Sequence, residues 1–242
     1  MAFFPDQRLD NIFWQALSGA QAHYASGTAH ARRYAPGFSP IVGFRDPQQP
    51  DFAALAPFCA PGEQFYCDAW SGPAPDNWRI AFEATMFRMV WAAAAPPADP
   101  AADALALGPA HVAQAMELAA LTRPGPFGPR TIELGEYFGY IEDGRLVAMA
   151  GERSAAPGLR EISGVCTRPG WQGRGLARRL MFKLIRRQLA RGETPFLHVM
   201  SANDRAHQLY LDMGFRDERE TVVRVVSPVQ AHAVTVGGPR QP

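Results

Sequence analysis

With 242 residues, 47% of them hydrophobic, the chain can bury a sizeable core as one large domain or two small ones. Its 24 Lys and Arg nearly cancel its 23 Asp and Glu, so no overall field argues for nucleic acid or a charged membrane surface as partner. Cys59, Cys67 and Cys166 are too few and too scattered for a disulfide scaffold and match no zinc spacing, which favours a reducing compartment and no metal.

The opening residues, MAFFPDQRLDNIFWQALSG, place acids after the aromatics and contain no long apolar run, which argues against a secretory leader. No stretch approaches the length of a bilayer span. A cytoplasmic protein, monomer or homodimer, is the expectation. NIFWQALSGAQAHYA reads as a helix, whereas WRIAFEATMFRMVWAA suits either a strand or a helix. The run AAAAPPADPAADA, residues 92–104, is broken by three prolines and suits a linker or a long surface connection. It divides the chain into an N-terminal α/β region, 1–100, and a second unit, 104–229.

In that second unit VAQAMELAAL, 112–121, predicts a short amphipathic helix, and TRPGPFGPR, 122–130, must be irregular. IELGEYFGYI, the turn EDG and RLVAMAGER predict an antiparallel hairpin, and PGLREISGVCT an extended segment. In 175–191, Leu176, Leu180 and Leu184 share a stripe with Met181, Ile185 and Leu189, while Arg178, Arg179, Lys183, Arg186 and Arg187 cover much of the rest. That pattern is a surface helix packed on something apolar. The turn RGETP then leads to a strand FLHVM, 196–200, a helix in ANDRAHQLYLDMGF and a β-rich run TVVRVV, giving a mixed α/β layer architecture.

Between the extended segment and the long helix lies TRPGWQGRGLARRL. Its Gln172, Gly173, Arg174, Gly175, Leu176 and Ala177 fall where a strand turns into a helix N-terminus. The first helical amides there have no intrahelical partner, and glycines let a ligand approach the backbone. A pyrophosphate would fit, although the fragment alone reads more readily as a plain turn before a helix. A phosphate loop of the Walker type fails, because Gly175 is followed by Leu176 and Ala177 and not by lysine and serine or threonine. A dinucleotide fingerprint fails at Arg178, which stands where a small residue is needed.

The wider pattern resembles the GCN5-related N-acetyltransferase superfamily, GNAT, and within it the FR47-like branch. QGRGLA matches its signature, VCTRPGW its fourth strand and following loop, and NDRAHQLYLDMGF its later element, with Asn203, Ala206, Tyr210, Gly214 and Phe215 at the characteristic spacing. The resemblance spans about 104–226 and implies a mixed sheet, flanked by helices, whose fourth and fifth strands run parallel and splay apart. The N-terminal half lacks both motifs; a diverged, cofactor-free relative of the same fold is the expectation for it.

The resemblance also implies acetyl-CoA as co-substrate. Its pantetheine arm would follow the backbone of Val165, Cys166 and Thr167, and the amides from Gln172 to Ala177 would hold the pyrophosphate beside Arg174. Asn203 and Ala206 would contact the cofactor arm, the Val165 amide would polarise the thioester carbonyl, and Tyr210 would donate to the CoA sulfur. The reaction expected is direct attack by a primary amine in a ternary complex, which needs a neutral amine, an oxyanion donor and a proton for the thiolate. Glu161, Glu133, Glu136 and His198 are rival general bases, beside relayed water. Glu161 is read as sharing one face with Ser163, Val165 and Thr167. Phe127, Tyr137 and Phe138 are candidate walls of the acceptor pocket. The acceptor expected is a small amine or amino-acid-like molecule; a peptide N-terminus, an acyl-CoA-binding regulator without turnover and a dinucleotide-dependent oxidoreductase remain rivals.

Overall fold

In the computed structural model of the protein, residues 7–96 and 98–229 are described. The opening residues 1–6, weighed above against a leader, lie outside them, as does Pro97 of the proline run.

The elements in chain order are α1 (Ile12–Ser18), β1 (Ala25–Gly27), β2 (Ala31–Tyr34), β3 (Val42–Phe44), α2 (Phe52–Leu55), β4 (Phe65–Asp68), β5 (Trp78–Trp91), β6 (Leu105–Ala106), α3 (Val112–Thr122), β7 (Tyr137–Glu142), β8 (Arg145–Ala156), β9 (Leu159–Thr167), α4 (Leu176–Ala190), β10 (Thr194–Met200), α5 (Asp204–Met213) and β11 (Phe215–Pro228). Strands β1 to β3 form a small antiparallel sheet. The other eight form one mixed sheet in the order β4-β11-β5-β10-β9-β8-β7-β6.

Local chemistry explains the joints. Asp143 (φ 49°) and Gly144 (φ 75°) both adopt the left-handed conformation that a two-residue hairpin turn between β7 and β8 requires. The hairpin starts later than the sequence suggests, since residues 131–134 form a 3-10 turn. Thr131 Oγ1 anchors it, accepting from the Gly128 amide and donating to the Phe38 carbonyl. WRIAFEATMFRMVW is a strand, β5, held between β10 and β11. The sheet therefore runs across the anticipated boundary at 92–104. The proline run is not a free linker: Ala101 is fully buried, Asp99 pairs with Lys183 at 2.6 Å, and Asp103 pairs with Arg179 at 2.7 Å.

Side-chain alternation gives the sheet two covered faces. Ala148 and Ala150 of β8 pack with Leu180, Met181, Leu184 and Ile185 of α4, so the predicted apolar stripe is the buried one. Met149, one residue out of phase, packs with Ala115, Leu118 and Ala119 of α3. On that same face α1 lays Ile12, Phe13 and Leu17 against Phe196 and Val90, the latter from β10 and β5.

A row of charged groups crosses this second face. Arg88 on β5 donates to Asp68 at 2.7 Å and to the Leu9 carbonyl, and its Nε donates to His198 Nε2 at 3.3 Å. His198 Nδ1 lies 2.8 Å from Glu161, which also receives Arg153 and the Ser154 amide. Because arginine only donates, His198 Nε2 accepts, and its proton sits on Nδ1 facing Glu161. Two carboxylates and two guanidiniums then balance around a neutral imidazole. Removing one charge leaves its partner buried alone, so Arg88→Leu should cost about 3–5 kcal/mol in urea unfolding, far more than an exposed arginine such as Arg205 changed to Leu.

Candidate functional site

Strands β9 and β10 run parallel but pair at only three positions, Thr194 with Leu159, Pro195 with Arg160 and Phe196 with Glu161. Beyond them the strands separate. The cause is visible on the other edge of β9, where Met149 pairs with Cys166 yet Gly151 pairs with Ser163. The extra residue is accommodated at Gly164, whose φ of 63° is the bulge conformation glycine tolerates best. The bulge bends β9 away from β10 and opens a wedge. It also corrects the expected parity: Glu161 faces the row of charges with His198 and Cys166 faces α3, whereas Val165 packs on the α4 side.

The wedge leads to the loop before α4. Gly173 (φ 79°) and Gly175 (φ 74°) adopt conformations that favour glycine, and a Cβ on either would meet nothing within 4 Å. Gly175 is the N-cap of α4 and no side chain caps it, so the first-turn amides of Leu176 and Ala177 face outward with the positive end of the helix dipole. Gln172 Nε2 ties the loop to the Thr167 carbonyl at 3.3 Å, and Arg174 stacks 4.4 Å from the centre of the Trp171 ring. Most of the basic helix face is committed elsewhere. Arg179 and Lys183 hold the proline run, Arg186 donates to the Pro96 carbonyl, and Arg187 and Arg191 hold Glu136. Arg174 and Arg178 have no ion pair among the described residues.

Across the wedge, Asn203 caps α5 by accepting from the Ala206 amide at 3.2 Å, and Gly214 (φ 113°) ends that helix. Between them Tyr210 is 9% exposed among Trp91, Phe215 and α4. Burial and the nearby Cys166 push its phenol up to about 12, so it is a proton donor at neutral pH.

The acids read as base candidates are all engaged. Burial alone would raise the Glu161 carboxyl, but the Arg153 charge and the His198 hydrogen bond outweigh it and hold it well below the usual carboxylate range. Glu161 is 1% exposed, so it does not overlook open space as the strand pattern suggested. Glu133 pairs with Arg130 at 2.8 Å and Glu136 is bridged by Arg187 and Arg191; each is held low by its arginine hydrogen bonds. Burial pushes His198 below its ordinary value against the pull of Glu161. The sequence reading missed Arg153, Arg88 and Asp68. A lone arginine inside AGERSAA and another inside TMFRMVW were the available signals, since each must find a buried acid.

On the face of α3, two adjoining cavities of about 430 and 370 Å³ flank the segment Pro126–Phe127. Phe38, Ser39, Tyr66, Met116 and Phe127 are among their walls, several from the N-terminal region. Of the expected walls Phe127 is in place, while Tyr137 lies behind it in edge-to-face contact and Phe138 packs on the opposite, α4 face. Glu63, also at the wall, is tied to Arg33 at 2.6 Å. No described helix is long and apolar enough to cross a membrane, and no described group of three or more His, Cys, Asp or Glu is placed to hold a metal.

This mixed sheet with diverging parallel strands, flanking helices and a glycine loop before α4 recurs in known proteins. The FR47-like protein family model matches residues 137–225. A GNAT-family protein of known structure from Novosphingobium aromaticivorans is 32% identical, superposes with a TM-score of 0.84, and covers 93% of this chain and 100% of its own. The chain belongs to the GNAT family of acetyltransferases. A GCN5-related N-acetyltransferase-like protein from Streptococcus suis shares the fold at 15% identity, with a TM-score of 0.58 over 90% of this chain and 92% of its own. The N-alpha-acetyltransferase RimI of Mycobacterium tuberculosis is 36% identical over 83 residues, which is 33% of this chain and 51% of RimI. The chain thus spans about half the length of that curated relative.

The buried charge row fixes how stability responds to acid. His198 and Glu161 both have folded values depressed below the unfolded ones, so the unfolded chain takes up protons first as pH falls. Their contribution is complete above the unfolded histidine value of about 6.5 and is lost as pH falls through the folded values. Urea midpoints should therefore decline from pH 7.5 to 5.5 and again below about 4.5, where carboxylates of the unfolded chain protonate. A flat profile would contradict the neutral His198 and ionised Glu161.

Proposed function

We propose that the chain transfers an acetyl group from acetyl-CoA to a primary amine by direct attack in a ternary complex. The observation that carries this reading is the wedge between β9 and β10, which ends on an uncapped glycine loop and has Tyr210 on its far side. The glycine conformations fit the donor: backbone amides that no Cβ shields suit a pyrophosphate, from Gln172 through Gly173, Arg174 and Gly175 to Leu176 and Ala177. Arg174 and Arg178 supply positive charge nearby. Val165, Cys166 and Thr167 would offer backbone polar groups to the pantetheine arm, with Asn203 and Ala206 on the opposite wall.

The chemistry then needs little from side chains. The amine nitrogen forms a C–N bond to the acetyl carbon as the C–S bond breaks, the Val165 amide stabilises the oxyanion, and Tyr210 gives its proton to the departing thiolate and regains one from water. Cys166 is a poor candidate for an acyl-enzyme, because it is 7% exposed among the side chains of the α3 face and burial pushes its thiol up to about 11. Since Glu161, Glu133 and Glu136 are each held as ion-paired carboxylates, the proton lost by the amine goes to water and not to one of them.

The acceptor side favours an amine on an apolar or amino-acid-like molecule. Aromatic and aliphatic walls dominate the cavities, and Glu63 and Glu133 are neutralised by Arg33 and Arg130, which leaves little to select a polycation. Similarity to RimI and the adjoining pair of cavities support a peptide N-terminus as the second reading. On either reading the N-terminal region acts as a wall of the acceptor site.

Tyr210→Phe should leave acetyl-CoA affinity by calorimetry nearly unchanged and lower kcat about 100-fold, the lower end of the range for general acid catalysis. Equal turnover would assign the proton elsewhere, and no turnover by wild type on an amine and peptide panel would favour a regulator that binds without reaction. Gly175→Val, which places a β-branched side chain at φ 74° beside the proposed phosphate, should abolish acetyl-CoA binding in the same titration.

A further inference from the structure

A second tyrosine hydroxyl approaches the bulge from the face opposite Tyr210. Tyr137 begins β7 and is 2% exposed, yet its Oη is buried with no hydrogen-bond partner among the described residues. An unpaired hydroxyl in a core costs free energy that phenylalanine would avoid in the same space. The surroundings are nevertheless built for this ring. Tyr137 pairs across the ladder with Gly151, where a Cβ would come within 2.1 Å of the ring, so glycine lets the ring lie over β8 and reach β9.

There it meets Gly164. A Cβ on Gly164 would sit 3.2 Å from Tyr137 Cε1, 3.5 Å from its Oη and 3.6 Å from Phe127 Cε2. The hydroxyl and the Phe127 edge thus converge on the space above the bulge, and Phe127 also lines both cavities. A molecule that fills the cavities and displaces this one half-buried ring meets Tyr137 Oη on its way to the wedge.

The geometry points to Tyr137 as a further residue that touches the acceptor: its hydroxyl hydrogen-bonds the attacking amine at the inner end of the cavities, beside Gly164 and Val165. This rests on the acetyl-transfer reading. An amine N–H donates to Oη, which leaves the nitrogen lone pair free to attack. Burial pushes the phenol far above its ordinary value, so it orients the amine and does not deprotonate it.

Tyr137→Phe removes a hydroxyl that bonds nothing in the unliganded fold, so the Tm should hold or rise and acetyl-CoA affinity by calorimetry should match wild type. With an amine that wild type acetylates, the acceptor KM should rise roughly five- to tenfold, the worth of one neutral hydrogen bond, while the KM for acetyl-CoA holds. Phe127→Ala, which uncovers Oη, should change the acceptor KM and leave acetyl-CoA affinity alone. Unchanged acceptor kinetics in Tyr137→Phe would overturn the role of Tyr137 while leaving transfer intact, and a loss matched by a lower Tm and weaker acetyl-CoA binding would overturn it in favour of packing. A wild-type chain that acetylates no amine would remove the transfer reading itself.

Discussion

The divergence of β9 from β10 is the constraint on which the rest depends. Two parallel strands in a sheet would normally pair along their length, because an open edge leaves backbone groups unpaired. Here the ladder stops after three rungs and a bulge at Gly164 turns β9 aside. At the last rung, where Glu161 pairs with Phe196, the Glu161 carboxylate reaches His198, two residues further along β10, at 2.8 Å, with Arg153 and Arg88 holding the outer sides of the pair. The opening therefore has a fixed vertex: polar side chains bridge the strands where the backbone ladder ends.

That arrangement gives a physical reason for the burial of so many charges on one face. An ion-paired row is weak evidence for stability, since desolvation offsets much of the attraction. What it supplies is position: each member has one geometry that satisfies its hydrogen bonds. Glu161 is thereby held by Arg153 and His198, and the proposed reaction is assigned to backbone amides and phenols. Tyr210 on the α5 side and Tyr137 on the α3 side stand across the same few residues of β9, both protonated at neutral pH.

The N-terminal region and the domain that carries the motifs are joined more closely than a linker would allow. Strand β5 lies between β10 and β11, so residues before the proline run complete the sheet that residues after it begin. The run itself is strapped to the basic face of α4 by Asp99 and Asp103, which engage Lys183 and Arg179. What the N-terminal region adds is one wall of the cavities, with Phe38, Ser39 and Tyr66 lining them beside Phe127.

Local patterns were enough for the elements that carry their own signal. The stripe of α4, the EDG turn, the strand FLHVM, the Asn203 cap and the glycine loop all follow from spacing and backbone preference, while the family came from the resemblance of the motifs they carry. Three features were decided only in the tertiary structure, because each depends on residues far apart in the chain. The bulge at Gly164 reversed the parity expected of Val165, Arg153 and His198 enclosed Glu161 in a buried ion-paired row, and the packing of β5 drew the first half of the chain into the second. A sequence records which side chains can ionise or pack. Which of them stay free to react depends on the partners that folding brings to them.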